Sequence, residues 1–144
     1  MDKQIQWWFP GFEAGLAALT EQQRDAFFRP CAEHCVRRGA LNSYQNIFQK
    51  AGGSLDPFFS ALDTAEGVGA EILVPGQEYL LYFYQCSCAL CTADYVHTPL
   101  LCACSRQSIL YTLETLWPEE QFTVEAEETI LGGAAECRFH IVRQ

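Results

Sequence analysis

The stretch FTVEAEETILGGAAECRFHIV, residues 122–142, decides the fold. Apolar and polar residues alternate along 122–130 and again along 137–142, the period of a strand with one buried face. Gly132-Gly133 between them is a two-residue hairpin signal. A turn centred there pairs Ala126 with Phe139, Val124 with Ile141 and Glu125 with His140. Phe122, Val124, Ala126, Ile130, Phe139 and Ile141 then share one face, and Glu127 faces Arg138 on the other. One residue resists this sorting. The same register sets Glu128 on the apolar face, opposite Cys137, where a carboxylate must be protonated, paired or metal-bound.

Working outward, the segment before this hairpin reads as a helix from Ser105, a plausible N-cap, through Trp117 to the stop at Pro118. Its apolar positions Ile109, Leu110, Leu113, Leu116 and Trp117 form one helical stripe. Further upstream, 70–74 (AEILV), Pro75-Gly76 and 78–85 (EYLLYFYQ) make a second hairpin. Its second arm is apolar on both faces, as suits a central strand. Tyr79, Tyr82, Phe83, Tyr84 and Phe139 are expected to pack the sheet against the helix. Core packing is the default reading of the aromatic excess, with a pocket for a planar or apolar ligand as the alternative.

The amino-terminal half is helical in character. Residues 11–29 look helical, with Thr20 and Gln23 in a capping-box pattern. Pro30 should interrupt, Cys31 should begin the next turn or helix, and Arg37-Arg38-Gly39 should end it. Residues 41–50 and 55–62 read as two short helices. The expectation is one α+β domain over 1–144: a helical part at about 11–62, then hairpin, cysteine loop, helix and closing hairpin at about 70–142. An antiparallel sheet would be covered by the helix at about 105–117.

The 144 residues carry 9 Lys+Arg against 18 Asp+Glu, a net charge of −9. Such an acidic chain is a poor match for phosphate backbones or anionic lipid surfaces, so neither nucleic acid nor membrane is an expected partner. The run Tyr79–Tyr84 is far below the ~20 residues of a membrane span. The polar interruptions Asp2, Gln4, Gln6 and Glu13 do not resemble a secretory signal, and the expectation is a cytoplasmic protein. Trp7-Trp8-Phe9 is a candidate contact for a homodimer, or a terminal segment packed on its own domain.

Eight cysteines are the unusual feature. They fall as Cys31-x3-Cys35, Cys86-x-Cys88-x2-Cys91, Cys102-x-Cys104 and Cys137, and the middle five border one loop. Clustered cysteines in a cytoplasmic chain more often bind metal or do redox chemistry than form disulfides. The alternatives are buried or reactive thiols, since free cysteine is among the most buried residue types, and a disulfide framework. Strand ends and helix starts are places where thiolates converge on zinc. Cys86, Cys88, Cys102, Cys104, Glu128 and Cys137 are the candidate ligands, and Cys31 and Cys35 stay unassigned. A helix start at Ser105 would also favour the thiolate of Cys104 and, less, of Cys102. His97, inside the cysteine-bounded loop, is the best candidate base. His34 and His140 read as surface residues.

The order of a cysteine-terminated strand, Cys102-Ala-Cys104-Ser105 before a helix, a Trp117-Pro118 break, an acidic strand with Glu125 and Glu128, a glycine turn and the closing Cys137-Arg-Phe-His-Ile strand resembles the 4-vinyl reductase domain. That family is related to TRAPP-type trafficking subunits and haem nitric-oxide sensors. The resemblance covers about residues 70–142 and implies an α+β pocket for a small aromatic effector, with a structural zinc on Cys102 or Cys104, Glu125, Glu128 and Cys137. The chain departs from the family where Glu128 replaces a strand cysteine, and it adds Cys86, Cys88 and Cys91. Regular alternation puts Glu125 and Glu128 on opposite faces, so both could meet one ion only across a bulge. The closing strand also resembles, more faintly, that of the L-2-amino-thiazoline-4-carboxylic acid hydrolases, which supply no catalytic residue here.

Together these readings expect a module that binds a small hydrophobic or aromatic molecule, stapled by zinc. The rival is a thiol- or metal-dependent hydrolase or reductase, with Cys102 or Cys104 as nucleophile or metal ligand and His97 as base.

Overall fold

A computed structural model describes residues 2–144. Four helices come first: α1 (Lys3–Ala18), α2 (Glu21–Arg38), α3 (Leu41–Lys50) and α4 (Leu55–Leu62). The hairpin β1 (Val68–Val74) and β2 (Glu78–Phe83) follows. The short α5 (Ala89–Thr92) and a 3-10 turn (Pro99–Leu101) lead into α6 (Cys102–Leu116). The hairpin β3 (Phe122–Glu128) and β4 (Cys137–Arg143) closes the chain. The four strands form one antiparallel sheet in the order β1-β2-β4-β3. The fold is α+β, as the hydrophobic periods require.

One face of the sheet is buried. Tyr79 and Leu81 of β2, Phe139 and Ile141 of β4, and Phe122 and Val124 of β3 meet Phe58, Phe59 and Leu62 of α4 and Ile109, Leu113 and Leu116 of α6. A second cluster joins the amino-terminal helices to the loop before α6 through Leu16, Phe28, Val96 and Leu101. Tyr82 and Tyr84 do not join the core as expected. They stack on each other, 6.4 Å between ring centres, and Tyr84 is about half exposed. An odd–even count along the strand separates them from Tyr79, Leu81 and Phe83.

Four further expectations need correction. Pro30 does not interrupt: α2 runs straight through it, so Cys31 and Cys35 sit on the same helix as Phe28. A proline inside a helix costs about 3 kcal/mol. Here that cost is offset by packing, because Phe28, Ala32 and Val36 bury one side of α2. Arg29 also reaches Glu114 of α6 at 2.5 Å, and Asp25 accepts from Arg106. The capping box at Thr20 and Gln23 forms as read, with both reciprocal hydrogen bonds in place. Helix α1 begins well before residue 11, capped by the Asp2 carboxylate on the Gln4 and Ile5 amides.

Helix α6 starts at Cys102, not after a cap at Ser105. Thr98 caps the 3-10 turn by accepting from the Leu100 amide, and that turn flows into the helix. Ser105 is therefore inside α6 and faces a cavity.

The closing hairpin keeps the expected register at Val124–Ile141, Glu125–His140 and Ala126–Phe139, then breaks it. A bulge between Ala126 and Glu128 sets Glu128 opposite Arg138 instead of Cys137. The connection is longer than two residues: the Gly132 and Ala134 amides both donate to the Thr129 carbonyl. Only Gly133 of the glycine pair has positive φ, whereas a type I′ turn needs two. The bulge leaves Glu128 beside a cation. Arg138 holds Glu127 at 3.5 Å and Glu128 at 3.7 Å, and the bulge spares Glu128 an unpaired place on the apolar face.

Candidate functional site: a cysteine-lined cavity

Beneath the sheet lies a cavity of about 450 Å³, walled by β2, β4, α4, α6, the end of α2 and the loop after β2. Phe58, Leu62, Leu81, Phe139 and Ile141 make its apolar floor. Six thiols complete the wall: Cys35 from α2, Cys86 and Cys88 from the loop, Cys102 and Cys104 from α6, and Cys137 from β4. Its remaining polar groups are uncharged, among them Tyr44, Gln85, Ser108 and Thr112. No Lys, Arg, His, Asp or Glu of the described residues lines it.

The last two cysteines lie close by, outside the wall. Cys91 lies near Cys86, Cys88 and Cys102. Cys31 lies near Cys104, as do Cys35, Cys88 and Cys102. All eight cysteines thus line the cavity or lie near one that does, including the two the sequence left unassigned. All are free thiols, which leaves no disulfide among the described residues. Cys35 was the residue missed. Its signal is the buried stripe Phe28–Ala32–Val36, which turns the neighbouring face of α2 toward α6.

Burial governs these thiols. Desolvation pushes Cys102 up to about 11, although the neighbouring Thr129 side chain favours the thiolate. It pushes Cys104 up to about 12, with mutual repulsion from Cys31, Cys88, Cys35 and Cys102 adding to the rise. Cys91 rises to about 11 for the same reasons. Cys137 also rises by burial, partly offset by the Ile130 amide donating to its sulfur at 3.4 Å. The expected activation at a helix start is overridden: Cys102 and Cys104 are in the first turn of α6, yet both are held neutral at physiological pH.

The expected base is elsewhere. The His97 ring pairs with Asp94 at 2.6 Å, its amide donates to Glu13, and it is absent from the cavity wall. Glu128 does not line this cavity, and its carboxylate lies 3.7 Å from Arg138. Glu125 lies on the outer sheet face opposite His140, whose ring meets Glu78 at 3.3 Å. Cys86, Cys88, Cys102, Cys104 and Cys137 do share one cavity. Even so, no three His, Cys, Asp or Glu side chains among the described residues converge closely enough to hold an ion.

Two further surfaces border the site. An open groove of about 470 Å³ runs past Arg24, Arg106, Glu127 and Glu128 and reaches Cys102 from the other side. On α1, Phe9 stacks on Tyr95 at 5.4 Å, while Trp7 and Trp8 are 73% and 63% exposed, so the expected aromatic contact divides between the two roles. No helix of the described residues is long and apolar enough to cross a membrane.

No family model matches the sequence, and no curated protein matches it. Among solved structures the chain is similar to a trafficking protein particle complex subunit 3 from Naegleria fowleri covalently bound to palmitic acid. The two are 10% identical, with a TM-score of 0.42 over 98% of this chain and 93% of that one.

Proposed function

We propose that this chain is a binding module for a small, uncharged hydrophobic molecule. The observation that carries the reading is the cavity: about 450 Å³ of apolar space without a single charged side chain in its wall. That volume lies in the usual range for small-molecule sites, roughly 300–1,000 Å³. A neutral environmental dye such as Nile red tests it. Saturable one-to-one binding with enhanced fluorescence is expected, weakened by Ser108→Phe, which puts a ring into the cavity. Fluorescence that never saturates, or that Ser108→Phe leaves unchanged while the fold is intact, would refute the reading.

Zinc belongs to the same proposal. The sulfur donors Cys86, Cys88, Cys102, Cys104 and Cys137 suit a soft-leaning ion, but they would have to move together to hold it. Elemental analysis of protein purified without chelator decides the matter. Less than about a tenth of an equivalent would remove zinc from the proposal. A thiol-dependent hydrolase finds less support, because the buried thiols are neutral and His97 lies outside the cavity wall.

A further inference from the structure

We propose that the cavity takes an uncharged apolar molecule bearing a soft, thiophilic centre, for which a trivalent monoaryl arsenical is the simplest case. This rests on the cavity being a small-molecule site. Three observations narrow the ligand. First, the wall offers no counter-charge, so a carboxylate, ammonium or phosphate head group would be buried uncompensated. Second, thiols from four separate segments line the one cavity, and sulfur prefers soft partners over hard oxygen-seeking ones. Third, no three donors converge for a bare ion, and a bare ion would leave the apolar space beside Phe58, Leu62 and Phe139 unfilled.

An aryl-substituted centre answers all three. It needs only two thiols, and its ring occupies the apolar space. The chemistry balances without any redox partner: C6H5As(OH)2 + 2 Cys–SH → C6H5As(S–Cys)2 + 2 H2O. Two As–O bonds break, two As–S bonds form, each thiol proton leaves in a water molecule, and arsenic stays trivalent. The product is neutral, whereas a divalent ion held by four thiolates would leave two negative charges in an uncharged cavity. The neutral thiols of Cys102 and Cys104 are thus suited to an exchange that releases water and leaves no charge behind. Cys102 is the common member, since it lies near Cys137, Cys86 and Cys88 and is also reached from the open groove.

The test uses the full, reduced chain with phenylarsine oxide, sodium arsenite and Nile red, read by native mass spectrometry and thiol titration. One equivalent of phenylarsine oxide is expected to bind, to remove two titratable thiols, to displace Nile red, and to bind at least tenfold tighter than arsenite. Cys102→Ser should weaken it at least tenfold while the circular dichroism stays unchanged. Cys31→Ser should change nothing. Equal affinity for arsenite overturns the proposal, because the apolar cavity then contributes nothing. So does capture by Cys31 and Cys35, one helical turn apart on α2 and both exposed. If Nile red binds and phenylarsine oxide does not displace it, this inference fails and the small-molecule reading stands. If neither binds, both fail.

Discussion

The two ends of the buried sheet face are built from opposite materials. At one end, aromatic rings fill the space. Phe59 stacks on Tyr79 at 4.0 Å, Phe58 and Phe48 meet Trp117 edge-on near 5 Å, and the Trp117 indole donates to the Gly53 carbonyl. At the other end, α6 presents Cys104, Ser105, Ser108 and Thr112 to the same sheet, and a void of about 450 Å³ results. Both ends have apolar surface and both use regular elements. They differ in side-chain volume, and volume decides which end is core and which is site.

The contrast can be broken first at the filled end. Phe59→Ala is expected to lower stability by about 3–5 kcal/mol in urea denaturation, because it removes a buried ring stacked on Tyr79 and enlarges the void that the ring borders on its other side. A loss below about 1 kcal/mol would mean that this end is not tightly packed. The thiols give the next largest effect. At pH 8, Cys102 and Cys104 should alkylate at least about a hundredfold more slowly than a free thiol of pKa about 8.5. Their rates should climb about tenfold per pH unit toward pH 11 and 12, as followed by peptide mass spectrometry.

A smaller effect belongs to the polar anchor under the filled end. The Tyr79 hydroxyl donates to Asp56 at 2.6 Å and the Gly76 amide donates to the same carboxylate, which together hold Asp56 below the usual carboxylate range. A carboxyl depressed in the folded state adds stability above its unfolded pKa of about 3.9 and loses it as pH falls through the lower folded value. Tyr79→Phe should therefore cost about 1–2 kcal/mol near neutrality and weaken the acid-dependent loss of stability below about pH 4. The smallest change is expected at the hollow end. Cys104→Ala should cost under about 1 kcal/mol, since the sulfur already borders a void. A loss as large as that of Phe59→Ala would erase the distinction between the two ends.

Much of the fold was legible because it rests on period. The alternation at 122–126 and 139–142, the stripe Ile109–Leu113–Leu116 and the Thr20–Gln23 box are local patterns with one physical meaning each. The misreadings came where distant residues intervened. Pro30 survives inside α2 because α6 packs along that helix, and Glu128 is moved off the apolar face by Arg138. The thiols were legible as a group, but their state was not. Proximity to a helix start argues for thiolate, and only the three-dimensional burial shows that desolvation wins. The cavity was least legible, because a void has no residue of its own. Its trace is the small-residue face of α6, where Ser105 read as a cap.

The bulge that displaced Glu128 has a counterpart on the far side of the sheet, between Ile72 and Val74 of β1. Strands β1 and β3 are the two outer strands, so each margin of the sheet is irregular partway along its length. A foreign strand that tried to add there would find its hydrogen-bond ladder out of step after a few residues. The same kink that moves a carboxylate away from Cys137 thus also shortens the run over which a foreign strand could pair with that edge.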